Sequence, residues 1–168
     1  MMKRILTMTL ALTLAVALLL CGCGKSDDNT DKGGNNDAAV KLGDVTVMVG
    51  EILTAEMKAA LGNPTSVEEA PSCHYEGMDT LYRYDGFSIQ TYRKDDADCV
   101  AVVTVESDAY PTDKGIKVGD NLDAVTDAYG EADEPTNYYW VYNLTDKVTL
   151  TFELDGDKVA TILYEEKA

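Results

Sequence analysis

The chain has few of the side chains that enzymes most often use for catalysis. Histidine occurs once, as His74, and no Gly-x-Ser-x-Gly segment is present to expose a nucleophilic serine. Cys73 precedes His74 directly, but neighbours on a strand point to opposite faces, so they would not form a catalytic pair there. With Cys99 they supply at most three ligands, too few for a structural zinc site. We therefore expect no enzyme activity, no metal site and no cofactor.

Positive charge is also scarce. Lys and Arg number 14 against 30 Asp and Glu, which gives a net charge of −16. The phosphates of nucleic acid and of anionic lipid would be repelled, so we expect no nucleic-acid partner and no electrostatic docking on a membrane. This acidity indicates a soluble surface, and the alternative is a surface that binds cations.

A long apolar run occurs only near the N-terminus. Lys3 and Arg4 precede 16 uncharged residues, from Ile5 to Leu20, that are interrupted only by threonine. Such a run is short for a membrane span and is typical of a secretory signal.

The run ends in Leu20-Cys21-Gly22-Cys23, which resembles the bacterial lipobox. A lipid on Cys21 would place the bulky Leu20 at a position that selects small residues. A lipid on Cys23 places Gly22 there. We therefore predict a lipoprotein signal peptide over residues 1–22 and lipid attachment at Cys23, which would hold the chain at the extracytoplasmic face of the cell membrane.

The next residues are too polar to fold. Residues 24–37 contain no branched aliphatic or aromatic side chain, so they cannot bury enough apolar surface to offset the entropy of ordering. We predict a lipidated cysteine and disordered acidic linker over residues 23–44, with a span of roughly 25 Å.

Two similar helical segments follow, at residues 49–62 and 118–130. Each begins with a Val-Gly pair, carries an apolar stripe and ends at glycine. Thr54 is the predicted N-cap of the first helix and Asp120 that of the second.

Strand-like segments follow each helix. The first set covers residues 79–85, 87–93 and 99–107, and the second covers residues 137–143, 147–154 and 158–164. The repeated order predicts an α+β fold of two tandem units, each a short helix followed by a three- to four-stranded antiparallel sheet. We place the first repeat at residues 45–110 and the second at residues 111–168.

Cys73 and Cys99 are the two cysteines of the predicted folded part. In an oxidising compartment they favour a disulfide. In a plain meander they lie two strands apart, about 10 Å, so a bridge requires the loop that carries Cys73 to fold inward. Both alternatives stay open.

Aromatic residues cluster in the strand segments. Tyr138, Trp140 and Tyr142 share one strand face, and Tyr82 and Tyr84 repeat the feature in the first unit. They either pack between the units or form an exposed face for a protein or glycan partner.

The order of glycine, capped helix and tyrosine-rich sheet over residues 45–168 resembles a known repeat. It is similar to the β-lactamase inhibitory protein family and to the small lipoprotein of the outer-membrane β-barrel assembly machinery. It is also similar to uncharacterised Gram-positive lipoproteins with the Gly-Ile-x-x-Gly-Asp segment found at Gly115 to Asp120. The resemblance implies a non-enzymatic protein that presents a sheet face to another protein. We expect a protein-interaction module at the cell envelope, and the alternative is a solute- or glycan-binding lipoprotein.

Overall fold

The structure is a computed structural model that describes residues 38–73 and 75–167. The predicted signal peptide, Cys23, most of the predicted linker and His74 lie outside the described residues. The described chain forms ten strands and two short helices. Their order is β1 (Ala39–Leu42), β2 (Val45–Met48), α1 (Ala55–Leu61), β3 (Ser66–Pro71), β4 (Met78–Tyr84), β5 (Phe87–Lys94), β6 (Ala97–Val105), α2 (Leu122–Tyr129), β7 (Glu134–Pro135), β8 (Tyr139–Asn143), β9 (Val148–Asp155) and β10 (Lys158–Glu166).

Eight strands form one antiparallel sheet in the order β3-β4-β5-β6-β10-β9-β8-β7, and β1 and β2 form a separate hairpin. The centre of the large sheet is the pairing of β6 with β10, where Val103 lies opposite Tyr164 and Val105 opposite Ile162. These two strands are rich in β-branched and aromatic residues, and Val103, Val105, Ile162 and Tyr164 are all buried.

The predicted α+β fold of two helix-and-sheet units is wrong. Strands dominate the described chain, and α1 and α2 are only seven and eight residues long. The strands predicted as two sheets belong to one eight-stranded sheet, because β6 pairs directly with β10. Local sequence patterns locate strands but do not encode which distant strands pair.

The six predicted strand segments are confirmed within two residues at each end. The sequence does not predict β1, β3 or β7. The predicted linker over residues 23–44 is wrong at its C-terminal end, since β1 pairs with β2 and buries Val40 and Leu42.

Both helices end at glycines with positive φ, Gly62 at 83° and Gly130 at 81°. The predicted N-cap of α1 is confirmed, because Thr54 Oγ1 accepts from the Met57 amide at 3.2 Å. The predicted cap of α2 is wrong by one residue. Asn121 Oδ1 accepts from the Ala124 amide at 2.9 Å, whereas Asp120 accepts from the Lys117 amide within the preceding turn.

The two faces of the large sheet differ in burial. One face joins the hydrophobic core with residues from the hairpin and from α2, including Val47 and Val125, which are fully buried. We call this the covered face. It contributes Ile89, Val103, Leu150, Phe152, Ile162 and Tyr164 to the core. No described helix is long and apolar enough to cross a membrane.

Candidate functional site

The other face of the sheet, which we call the open face, is defined by the strand register. Side chains opposite each other in paired strands lie on the same face. One row of partners runs Leu81, Gln90, Val102, Glu165 and Thr149. A second row runs Arg83, Ser88, Thr104, Leu163, Thr151 and Val141.

Most of the open face is in contact with solvent. Of the two rows only Ser88 is buried, and the other side chains are partly or fully exposed. Four of these are aliphatic: Leu81, Val102, Leu163 and Val141. The open face therefore mixes partly exposed aliphatic side chains with threonines and charged side chains.

A cavity of about 530 Å³ lies at one end of the open face. We call it the acidic groove. Its lining consists of Tyr75, Asp79, Gln90, Ala101, Val102, Thr149, Glu165, Glu166 and Lys167. Four of these residues come from the first row of cross-strand partners, so the groove crosses the strands of the sheet rather than following one of them.

The groove contains carboxylates from two strands that are distant in sequence. Asp79 comes from β4, and Glu165 and Glu166 come from β10. Asp79 Oδ1 and Glu166 Oε2 are buried oxygen atoms without a hydrogen-bond partner among the described residues. The other oxygen of Asp79 accepts only a long bond of 3.5 Å, from Gln90 Nε2. Glu166 accepts a hydrogen bond from Tyr92, and neither Asp79 nor Glu166 forms an ion pair among the described residues.

One wall of the groove is formed by Tyr75, which lies in the connection between β3 and β4. The Tyr75 amide donates to Ser72 Oγ at 3.0 Å, and the Tyr75 ring stacks on Tyr92 with the centroids 3.6 Å apart. Burial raises the pKa of Tyr75, and the nearby negative charge of Glu166 adds to that shift. Burial also raises the pKa of Tyr92, and the hydrogen bond from Tyr92 to Glu166 raises that pKa further.

The aromatic residues of the possible partner-binding face do not share an exposed surface. Tyr142 is 5% exposed and donates its hydroxyl to Gly130 O at 3.0 Å, and Tyr138 is 76% exposed. Trp140, Tyr82 and Tyr84 are partly buried against the core. The register places these three on the covered face with Tyr142, because they lie opposite Phe152, Ile89 and Phe87. Of the two alternatives for these aromatic residues, the burial of Tyr142, Trp140, Tyr82 and Tyr84 favours packing.

Cys73 and Cys99, the possible disulfide pair, are both free thiols in the structure. Cys99 lies opposite Tyr92 on the open face and is buried, whereas Cys73 is exposed in the turn beyond β3. From β3 to β6 is three strand spacings, about 14 Å. The turn does fold over the sheet, but it places Tyr75 rather than Cys73 against Tyr92. Burial raises the pKa of the Cys99 thiol, which lowers its reactivity.

Tyr82 has a structural role in an ion network on the covered face. Lys58 of α1 donates to Asp98 and, at 3.0 Å, to the Tyr82 hydroxyl, and Arg93 donates to the other oxygen of Asp98 at 2.9 Å. Burial alone would raise the pKa of Asp98, but the hydrogen bonds from Lys58, Arg93 and Tyr82 outweigh it and lower that pKa. The network attaches α1 to the sheet.

That the chain has no metal site stays a prediction. Among residues 38–73 and 75–167, no group of three or more His, Cys, Asp or Glu side chains is arranged to hold a metal. The predicted lipid attachment site Cys23 and the single histidine lie outside the described residues.

The residues of the acidic groove are not predicted by the sequence. Asp79 begins a predicted strand and Glu165 follows the end of another, so each resembles an ordinary acid at a strand end. Only the β6–β10 pairing places them on one face of one sheet. The one local pattern that bears on the groove is the alternation in β10. It places Leu163 and Glu165 on the strand face opposite to that of Ile162 and Tyr164.

Comparison with known proteins does not assign a family. No protein-family model matches the chain, and no curated protein matches it. The structure is similar to the crystal structure of the uncharacterised protein yfeY from Escherichia coli, with 13% sequence identity and a TM-score of 0.43. The match covers 71% of this chain and 93% of yfeY. This similarity is too low to assign a family or a function, and the resemblance to tandem-repeat lipoproteins stays a hypothesis.

Proposed function

We propose that this chain is a membrane-anchored extracytoplasmic lipoprotein that binds another protein at the cell envelope through its open face. It acts by contact rather than by catalysis. The lipid on Cys23 supplies the membrane attachment, and the sheet supplies the binding surface.

The observation that carries this proposal is the difference between the two faces of the sheet. Residues of the β1–β2 hairpin and of α2 pack against the covered face and form the hydrophobic core with it. The open face keeps Leu81, Val102, Leu163 and Val141 partly in solvent, and they are interleaved with polar side chains. Exposed aliphatic side chains on a rigid sheet lose little entropy on binding, which favours association with a partner of complementary shape.

The membrane attachment is supported by the sequence of the leader. Gly22 and Leu20 satisfy the lipobox positions before Cys23, and the apolar run before them is typical of a secretory signal. Mass spectrometry of the mature protein should find a diacylated N-terminal cysteine that corresponds to Cys23. An unmodified terminus at any other residue would refute the anchor.

The binding face is tested by a substitution at its centre. Leu163→Arg places a charge among the aliphatic side chains of the open face and should abolish co-purification of a stoichiometric partner from cross-linked cells. Asp127→Arg, on the exposed surface of α2, is the control and should retain the partner. Circular dichroism and thermal unfolding of both variants establish that they are folded. A folded Leu163→Arg variant that retains the partner would place the binding surface elsewhere.

The alternative, a solute- or glycan-binding lipoprotein, has less support. Its basis was an exposed aromatic face, and Tyr142 is buried while Trp140, Tyr82 and Tyr84 pack against the core. Thermal-shift screening with sugars and wall fragments distinguishes the two functions, because a saturable increase in melting temperature with no protein partner would favour the alternative.

A further inference from the structure

We propose that the β1–β2 hairpin is an extensible joint between the membrane anchor and the large sheet, and that it opens under tension before the sheet does. This inference rests on the proposed function, because the tension would come from a lipid on Cys23 and a partner on the open face. Opening of the hairpin would lengthen the attachment while the open face stays folded and keeps its partner.

The hairpin is a separately paired part of the fold. In the described chain, β1 and β2 form a two-stranded sheet of their own and neither is paired with the large sheet. Their antiparallel register aligns Ala39 with Met48, so the start of β1 and the end of β2 are neighbours. There the Val49 amide donates to Ala38 O at 3.5 Å, which is a long hydrogen bond. The chain therefore enters and leaves the hairpin at adjacent points.

The chain that leaves the hairpin is fixed to the middle of the large sheet. The Gly50 amide donates to Val100 O at 2.8 Å, and the Val100 amide donates to Glu51 O at 2.9 Å. The Leu53 amide donates to Asp98 O at 2.8 Å. Val100 and Asp98 belong to β6, which is paired with β5 on one side and with β10 on the other. A load that reaches Gly50 therefore passes into the centre of the sheet.

The chain that enters the hairpin comes from the proposed anchor. Residues 24–37 join Cys23 to Ala38 in the sequence. Tension between the anchor and the open face therefore pulls on Ala38 and Gly50, at the two adjacent ends of the hairpin. The cross-strand hydrogen bonds of an antiparallel pair are perpendicular to the strands, so this load reaches them one at a time and the hairpin unzips. A partner on the open face contacts several strands of the large sheet, so the load there is divided among them.

Apolar contacts hold the hairpin closed when there is no tension. Val40, Leu42 and Val47 are buried in the hydrophobic core. Their transfer into water opposes opening, so the hairpin closes again when the tension is removed. Proteins open locally in cooperative units at a lower free-energy cost than global unfolding, and a separately paired hairpin is such a unit.

The gain in length follows from the residues that are released. The chain from Ala38 to Val49 spans about 40 Å when extended, at about 3.4 Å per residue. In the closed hairpin these two residues are joined by a hydrogen bond, so nearly all of that span is gained. A bound partner can therefore move by about 40 Å relative to the membrane without leaving the open face.

Force spectroscopy with optical tweezers on the mature protein in neutral detergent tests the joint. One DNA handle is attached at Asn29→Cys, before the hairpin, and the other at Thr151→Cys on the open face. Cys73→Ser removes the exposed native thiol. The matched protein carries its first handle at Glu51→Cys, an exposed position after the hairpin, so the hairpin lies outside the load path. Thermal unfolding of both proteins establishes that they are folded.

With the handle at residue 29 we expect a first extension of about 40 Å, followed at higher force by unfolding of the sheet. With the handle at residue 51 that first step should be absent. A single cooperative unfolding event in the first protein, or the same first step in both proteins, would overturn the proposal.

The result also separates the joint from the proposed function. If mass spectrometry finds no lipid on Cys23 and the first step is present, the hairpin is an extensible joint and the proposed anchor is wrong. If the lipid is present and the first step is absent, the anchor stands and the joint is wrong.

Discussion

Replacement of Tyr142 tests whether the aromatic cluster of β8 belongs to the core. Tyr142 is 5% exposed, and its ring lies 5.4 Å from that of Tyr129 and 5.8 Å from that of Phe152. Its hydroxyl donates to Gly130 O, the carbonyl of the residue that ends α2. Tyr142→Ala would therefore remove a buried ring and a hydrogen bond that joins the sheet to the end of the helix.

The expected loss of stability follows from these contacts. Truncation of a buried aromatic side chain to alanine costs about 4 kcal/mol, because the cavity that remains adds to the lost transfer free energy. Tyr142→Phe keeps the ring contacts and removes only the hydrogen bond, so it should cost about 1 kcal/mol. Tyr138→Ala is the matched control, since Tyr138 is 76% exposed, and it should stay within about 0.5 kcal/mol of the wild type.

Urea unfolding followed by circular dichroism measures the free energy of unfolding for all three variants. With a slope of about 2 kcal/mol per molar urea, the midpoint for Tyr142→Ala should fall by about 2 M. A Tyr142→Ala variant as stable as Tyr138→Ala would refute the placement of this cluster in the core. Loss of a partner by Tyr138→Ala without loss of stability would instead place a binding contact at the exposed end of β8.

Three further predictions follow from the burial and charges of single residues. The pKa of Asp98 lies below its ordinary value of 3.8, so the stability from its ion pairs is present above that value and lost as the pH falls through the lower, folded pKa. The difference in free energy of unfolding between wild type and Asp98→Asn should therefore shrink between about pH 6 and about pH 2, and a constant difference would contradict the ion network. In the native protein, iodoacetamide should label the exposed Cys73, whereas Cys99 should react only after denaturation. Resistance of both thiols until reduction would show a disulfide instead. Val125→Ala should destabilise the protein by about 2 kcal/mol, more than Met57→Ala, because α2 contributes a buried residue to the core and α1 contributes none. Equal effects in urea unfolding would contradict this difference between the helices.

Much of the secondary structure could be predicted from local patterns. In β9, Val148, Leu150 and Phe152 alternate with threonine and glutamate, and the strand forms where that alternation predicts it. Thr54 caps α1 because a hydroxyl at that position satisfies a free amide of the first turn. Local patterns do not predict β3 and β7, because Ser66–Pro71 and Glu134–Pro135 have exposed, acidic sequences without alternation.

The candidate site could not be predicted in the same way. The sequence shows that Trp140 and Tyr142 share a strand face, but it does not show which face the helices cover. That choice depends on the connections that place α1, α2 and the β1–β2 hairpin on one side of the sheet. The acidic residues gave no signal because 30 Asp and Glu side chains make acidic neighbours common anywhere in the chain.

The sequence by itself determined the features that depend on neighbouring residues: the acidic charge, the helix ends at glycine and most of the strands. The leader and the lipid site stay predictions. Backbone conformational preference, side-chain alternation and composition act over a few residues, so they can be read along the chain. Only the tertiary structure decided that β6 pairs with β10, since that pairing joins residues about 60 positions apart and depends on the packing of the whole core. This one pairing makes two predicted sheets into a single sheet. It also places Asp79 and Glu165 in one groove and leaves one face of that sheet open, which is the face that we propose as the binding surface.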